Sequence, residues 1–138
     1  MGGTVTWTGS TNTVWSTAGN WSAGAGGTAP PASDDDVIIP NVTNDPVLDA
    51  DDTINSLKIE DGGNLDGNSN TITIGGKDGS SYSINVVPTG TITGTLNIKV
   101  TGNGGYIREQ GTGSINNLEV DLGSSSDVHY LDTDLSIG

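Results

Sequence analysis

The sequence predicts an all-β fold, a short single-stranded parallel β-helix (a β-solenoid) with a tryptophan-rich cap at its amino-terminal end. An apolar–polar–apolar triplet recurs along the chain, which is typical of a strand with one buried face. A cluster of Gly, Asn, Asp, Ser or Thr follows nearly every triplet, and the triplets start 12 to 22 residues apart. Short strands and turns repeated in this loose register are typical of a solenoid.

The triplets define the predicted rungs of the solenoid. They are Leu57-Lys58-Ile59, Ile72-Thr73-Ile74, Ile84-Asn85-Val86, Leu96-Asn97-Ile98, Leu118-Glu119-Val120 and Leu135-Ser136-Ile137. The segments 54–61 (INSLKIED) and 115–122 (INNLEVDL) are near-copies, and the three tyrosines are 24 positions apart. A β-sandwich is the alternative, since it also has short strands with turns at intervals of about 8–12 residues. The near-copies favour the solenoid.

The composition is that of one domain with a thin core. The chain has 138 residues, of which 31% are hydrophobic and none is Phe, too few for a thick globular core. A solenoid needs only a few inward side chains per rung. We expect residues 1–53 to form the cap, a loop and the first strands, and residues 54–138 to form the rungs.

All three tryptophans, Trp7, Trp15 and Trp21, lie within the first 21 residues. Each can bury about 150–250 Å² of surface. We expect them to cover the end of the solenoid, which otherwise exposes apolar side chains and unpaired backbone groups. The alternative interpretation is an exposed aromatic platform on which sugars stack, as in a carbohydrate-binding module.

Two groups of aspartates follow the tryptophans, and both lie in predicted turns. They are Asp34, Asp35 and Asp36, then Asp49, Asp51 and Asp52. Carboxylate oxygens suit Ca²⁺, which takes about 6–8 oxygen ligands, so these residues are the candidate metal ligands. No EF-hand spacing is present. The alternative is that they cap turns through hydrogen bonds and place charges at sheet edges, which keeps the protein soluble. We expect no other cofactor.

The charge excludes two classes of partner. The formal net charge is −13, from 17 acidic and 4 basic residues. Nucleic-acid binding depends on neutralised phosphates, so we expect neither nucleic acid nor an anionic membrane as a partner. The chain has no Cys for a disulfide and no apolar run of about 18 residues for a membrane span.

The sequence predicts a protein that is not an enzyme. The acidic side chains of Glu119 and Asp121 alternate with inward positions, so we expect them to face solvent. Arg108 is the only arginine and His129 the only histidine, and no Ser/His/Asp set can be assembled around them.

A W-x-G…W…NW segment opens the chain, followed by a Pro/Asp-Asp loop, a short apolar strand and L-x-I rungs. The positions that carry this order are Trp7, Gly9, Trp15, Asn20, Trp21, Pro31, Asp35, Asp36, Val37, Ile39, Leu57, Ile59, Gly62 and Leu65. The order resembles the amino-terminal part of bacterial and phage parallel β-helix surface proteins. The resemblance covers about residues 4–76 and implies a phage virion protein or an autotransporter-like adhesin.

No export signal precedes the first predicted strand, and adhesins of this type are usually far longer, so the resemblance favours a virion component. The expected function is therefore a non-enzymatic structural or assembly protein at the virion surface, such as a head decoration or fibre protein. The alternative is a fragment of a secreted adhesin at an extracellular or cell-surface location.

The last triplet contains Leu135 and Ile137 and has no further rung after it in the sequence. A bare rung exposes apolar side chains and unpaired backbone groups, which favours pairing with another chain. We expect this end to contact another copy, giving a homo-oligomer, or a neighbouring structural protein. A surface glycan is the alternative partner.

Overall fold

The computed structural model describes residues 2–102, 105–121 and 130–132, and in these the chain winds as a parallel β-solenoid of about four turns. A short 3-10 helix spans Ala18–Asn20. The strands are β1 (Thr4–Trp7), β2 (Trp21–Ala23), β3 (Asp36–Ile39), β4 (Asp52–Ile54), β5 (Ser56–Ile59), β6 (Asn64–Asp66), β7 (Thr71–Ile74), β8 (Tyr82–Val86), β9 (Thr91–Thr93), β10 (Leu96–Val100), β11 (Tyr106–Glu109), β12 (Ile115–Val120) and β13 (Tyr130–Asp132).

The strands form three sheets, and successive turns of the solenoid add parallel strands to them. The seven-stranded sheet has the order β13–β11–β8–β5–β3–β1–β2, the four-stranded sheet β12–β10–β7–β4, and the two-stranded sheet β6–β9. Among the described residues, the one antiparallel pair is β1–β2, and the other pairs are parallel. Parallel stacking is what a solenoid requires, because every turn enters each sheet in the same direction.

The apolar residues of the triplets face the inside of the column. Val37, Leu57, Ile84 and Ile107 lie opposite one another on successive strands of the seven-stranded sheet, and each is 0 or 1% exposed. Burying one such side chain contributes about 1.5–3 kcal/mol. A thin column of aliphatic side chains therefore supplies the core, as the composition requires.

The turns differ in length at one corner of the column. Val37 pairs with Leu57, 20 positions further along, whereas Leu57 pairs with Ile84, 27 positions further along. In the shorter turn Asn55 alone separates β4 from β5, but the loop 75–81 separates β7 from β8. This longer loop projects beside the seven-stranded sheet and forms one wall of the groove described below.

The predicted β-solenoid is confirmed, and the β-sandwich alternative is not what forms. The five triplets from Leu57 to Val120 all lie in strands. The two near-copies differ in structure, however. In 54–61 the chain bends at Asn55, so its triplet lies in the seven-stranded sheet. The triplet of the second copy remains in the four-stranded sheet.

The expected division between residues 53 and 54 falls inside β4. Strands of the seven-stranded sheet lie on both sides of it, since β3 pairs with β5. The final predicted triplet, with Leu135 and Ile137, and the single histidine His129 lie outside the described residues.

Candidate functional site

The amino-terminal end of the column is filled by the three tryptophans. Trp21 packs edge-to-face against both Trp7 and Trp15, with ring centroids 4.8 and 4.7 Å apart. Their side chains are buried, and each indole N–H donates a hydrogen bond: Trp7 to Asn44 O, Trp15 to Asp52 Oδ2 and Trp21 to Trp15 O. Because the rings are buried against one another, they present no exposed platform to a sugar.

A strand and an asparagine complete the same end. β2 pairs antiparallel with β1 on the side away from β3, so it covers the edge that β1 would otherwise expose. The fully buried Asn20 accepts hydrogen bonds from the N–H groups of Thr11 and Asn12, both at 2.9 Å, and donates one to Val14 O at 2.9 Å. These bonds hold the loop between β1 and β2 against the end of the column.

Asp35 is a buried carboxylate that ties together three segments near the first turn. It is 0% exposed and accepts hydrogen bonds from Gly3 N at 2.9 Å and Ala32 N at 2.8 Å. It also accepts from Thr28 N at 3.0 Å and Thr28 Oγ1 at 2.9 Å. Burial acts to raise the pKa of Asp35, but these hydrogen bonds stabilise the carboxylate and hold its pKa below the usual value.

The other predicted metal ligands also have partners within the protein. Four accept hydrogen bonds from neighbouring turns: Asp36 from Asn55 and Ser56, Asp49 from Ser16, Asp51 from Thr71, and Asp52 from Trp15. Asp34 also has an interaction partner. Within the described part of the chain, no three His, Cys, Asp or Glu side chains come together to hold a metal ion. The arrangement is that of turn-stabilising acids, and calcium titration is the direct test of binding.

The carboxyl-terminal edge of the four-stranded sheet leaves apolar side chains more exposed than the amino-terminal end does. The inward residues Ile54, Ile74 and Val100 on β4, β7 and β10 are 0% exposed, but Val120, next in the same row on β12, is 40% exposed. Leu118 on the same strand is only partly buried. β12 is the edge strand of this sheet among the described residues.

A row of aromatic and basic side chains lies on the outer face of the seven-stranded sheet. Tyr82 and Tyr106 pair in register, with ring centroids 5.5 Å apart, and the Arg108 guanidinium lies 4.7 Å from the Tyr82 centroid. The register shifts just after this tyrosine pair, which leaves Ser83 as an extra residue in β8. A bulge of this kind redirects a side chain, and here it places Tyr82 on the outer face although Ile84 points inward.

The bulge is supported by its surroundings. Ser83 is buried and its hydroxyl donates to Gly76 O at 2.7 Å. A side chain at Gly105 would collide with the Ser83 hydroxyl, so only glycine fits where β11 begins beside the bulge.

A groove continues this outer face toward β1. It contains two clefts of about 250 and 510 Å³ that share Asp36, Asp78 and Gly79 in their lining. Lys58 lies in the first cleft and Lys77 in the second. Hydroxyl, carboxylate, ammonium and aromatic groups are thus arranged along one surface, which suits non-covalent binding.

The alternation of apolar and polar residues does not predict this groove. The signal in the sequence that could have indicated it is the 24-residue spacing of the tyrosines, together with Arg108 two positions after Tyr106. The spacing was interpreted only as evidence for a repeat.

These features define a class of protein, a short parallel β-solenoid with a closed amino-terminal end. The chain belongs to the family described as Domain of unknown function (DUF8693), whose model matches residues 6–121. Comparison with curated proteins found no match, and comparison with solved structures also found none. Among the described residues, no helix has the length and hydrophobicity needed to cross a membrane.

Proposed function

We propose that the chain is a non-enzymatic structural and assembly module that builds or decorates a surface. A phage particle, where it would serve as a head decoration or fibre component, is the first setting. A fragment of a secreted bacterial adhesin is the second. The genes that flank its own distinguish the two settings: capsid and tail genes for the first, secretion genes and long repeats for the second.

The observation that carries the proposal is the change in exposure along one row of the core. Val100 is fully buried by the strand that follows it, whereas the equivalent Val120 is 40% exposed on β12. An edge strand with a partly exposed apolar row favours pairing with a further strand. We therefore assign the contact with a partner to the β12 edge, which is the last edge of this sheet among the described residues.

The closed amino-terminal end limits how copies associate. In a head-to-tail filament the four-stranded sheet would continue from one copy's β12 edge onto another copy's β4 edge, and the seven-stranded sheet would have to continue onto the β1 edge, which β2 already occupies. Self-association through β12 alone joins like surfaces and gives a closed oligomer, with a dimer as the simplest case. The module thus fits a terminal or decorating position better than a repeated position in a filament.

Sedimentation velocity over a range of concentrations tests this proposal. The unmodified protein is expected to form a dimer, and Val120→Asp is expected to shift it to monomer by placing a charge on the contact. Val14→Asp is the matched control, because Val14 is 37% exposed at the opposite end and receives the same charge. A protein that remains monomeric at high concentration, or two variants that dissociate equally, would contradict the assignment.

A further inference from the structure

The groove beside the seven-stranded sheet results from an insertion in the solenoid repeat. The loop 75–81 separates β7 from β8, whereas the preceding turn has Asn55 alone between β4 and β5. Asp78 fixes the shape of this loop by accepting hydrogen bonds from the N–H groups of Ser80 and Tyr82, both at 2.8 Å. The column closes without such a loop one turn earlier, and insertions in solenoid repeats often lie on the binding face. The inserted loop is therefore best explained by the groove that it builds.

Asp36 and Asp78 line both clefts of the groove, and each has one carboxylate oxygen available to a ligand. Asp36 uses Oδ1 to accept hydrogen bonds from Asn55 Nδ2 at 2.7 Å and Ser56 Oγ at 2.6 Å, and Asp78 uses Oδ1 for its two bonds within the loop. The Oδ2 atom of neither residue accepts a hydrogen bond from the described residues. Both carboxylates are thus held in position through one oxygen, and the other oxygen is a fixed acceptor for a donor in the groove.

The charges in the groove nearly balance. Lys58 lines the first cleft with Asp36 and Asp78, and Lys77 lines the second cleft with the same two aspartates and Asp34. An anionic ligand would meet these carboxylates, and a cationic ligand would meet a lysine in either cleft. The lining therefore favours a neutral ligand that both donates and accepts hydrogen bonds.

The first cleft also offers further donors and an apolar contact. The ammonium group of Lys58 has three N–H donors, of which Glu60 Oε1 accepts one at 2.8 Å. Ile38 pairs in register with Lys58, is half-buried and lines the same cleft. A ligand with hydroxyl groups at its edge and C–H groups on its face matches this combination.

We propose that this groove binds a neutral oligosaccharide, whose hydroxyls donate to Asp36 and Asp78 and accept from Lys58, with the apolar face of one sugar ring against Ile38. Each sugar hydroxyl donates and accepts at the same atom, so it suits carboxylates and an ammonium group that lie side by side. A neutral peptide main chain carries its donors and acceptors on separate atoms and matches this lining less well. The proposal is independent of assembly through β12.

Isothermal titration with four ligands of equal length tests the proposal. Three are neutral, a cello-, a malto- and a manno-oligosaccharide, and the fourth is an oligogalacturonate. At least one neutral ligand is expected to bind more tightly than the oligogalacturonate. Its affinity is expected to stay within about twofold as salt is added, because a neutral ligand forms no ion pair that salt can screen.

Asp36→Asn and Asp78→Asn test the two acceptors. Each variant keeps a carbonyl oxygen for the hydrogen bonds within the protein and replaces the other oxygen by an NH2 group. Each is expected to lose about tenfold in affinity, because a charge-assisted hydrogen bond from the ligand is removed. Asp66→Asn is the matched control, since Asp66 Oδ1 also accepts a backbone bond, from Asn68 N at 2.9 Å, but lies on the two-stranded sheet. Its affinity should remain within about twofold of the original.

Gly79→Leu tests the position of the site without changing any charge. Gly79 lines both clefts, and a Cβ atom there would meet no other atom within 4 Å, so the larger side chain is accommodated and obstructs the groove. Binding is expected to be lost, and far-UV circular dichroism establishes that each variant is folded. Unchanged binding in Gly79→Leu, an equal loss in Asp66→Asn, or tighter binding of the oligogalacturonate would each overturn the proposal. Absence of binding by all three neutral ligands would overturn it as well, without bearing on the sedimentation result.

Discussion

The two ends of the column terminate the same stack of strands in different ways. At the amino-terminal end, an antiparallel strand lies along β1 and three buried tryptophans fill the space below the first turn. At the carboxyl-terminal end of the four-stranded sheet, the described residues place no strand beyond β12, and Val120 remains 40% exposed. The strands β3, β5, β8 and β11 of the seven-stranded sheet, and β7 and β10 of the four-stranded sheet, each have a neighbouring strand on both sides.

The difference shows that ending a parallel stack requires a change of geometry. A parallel strand presents on its outer edge the same evenly spaced hydrogen-bonding pattern that it received, so each rung can template the next. The antiparallel β2 breaks that repetition, and the tryptophans replace aliphatic side chains with rings large enough to close the end. Within the part of the chain that the structure describes, no such change accompanies β12, which retains a triplet of the repeating kind.

The largest expected effect is the loss of a cap tryptophan. Trp7→Ala should lower the free energy of unfolding by about 3–5 kcal/mol, because it opens a cavity at a position that is 0% exposed. Val120→Ala, at the opposite end, should cost less than about 1 kcal/mol in the monomer. Urea unfolding followed by far-UV circular dichroism at low protein concentration compares the two. Similar losses at both ends would mean that the cap is not what closes the column.

The alternation of apolar residues was enough to predict the strands but not their sheets. Each described triplet lies in a strand because inward aliphatic residues at every second position are what a thin column requires. The corners determine which sheet a strand joins. In the first near-copy, the single residue Asn55 forms the corner between β4 and β5, so its triplet lies in the seven-stranded sheet. One residue in a corner leaves no periodic signal, so the two near-copies looked equivalent.

The alternation of apolar and polar residues also did not predict the roles of individual polar residues. The aspartates were expected as a group, in turns or around calcium, yet Asp35 differs from its neighbours by being fully buried among four donors. Those donors come from Gly3, Thr28 and Ala32, which only the fold brings together. The tyrosine row likewise depends on the bulge at Ser83, which a spacing of 24 does not reveal.

The second prediction concerns Asp35, which supports the amino-terminal end. Asp35→Ala should cost about 1–3 kcal/mol at neutral pH, because it leaves the partly buried N–H groups of Gly3 and Ala32 without their acceptor. The pKa of this carboxyl is lowered in the folded protein, so its stabilisation is present above the unfolded pKa of about 3.9. That contribution is lost as the pH falls through the lower folded value.

The difference in stability between the original protein and Asp35→Ala should therefore narrow as the pH drops below about 4. Urea unfolding at a series of pH values measures it. Thr28→Val is the control, since it removes one donor to Asp35 but keeps the carboxylate. A difference that stays constant across the acid range would show that the Asp35 charge does not contribute to stability.

The smallest expected effect lies beside the carboxyl-terminal edge, where Lys99 on β10 bridges to β12. Its Nζ lies 2.9 Å from Glu119 Oε1 and 3.6 Å from Asp121 Oδ2, and the hydrogen bond to Glu119 raises the pKa of Lys99. A raised lysine pKa means that any stabilisation is present at neutral pH and lost as the pH rises through the folded value. Because the pair is exposed and screened, Lys99→Gln should leave the melting temperature unchanged at high ionic strength. A marked fall there, measured by circular dichroism, would show that this ion pair, rather than the stacked aliphatic row, attaches the last described rung of the four-stranded sheet.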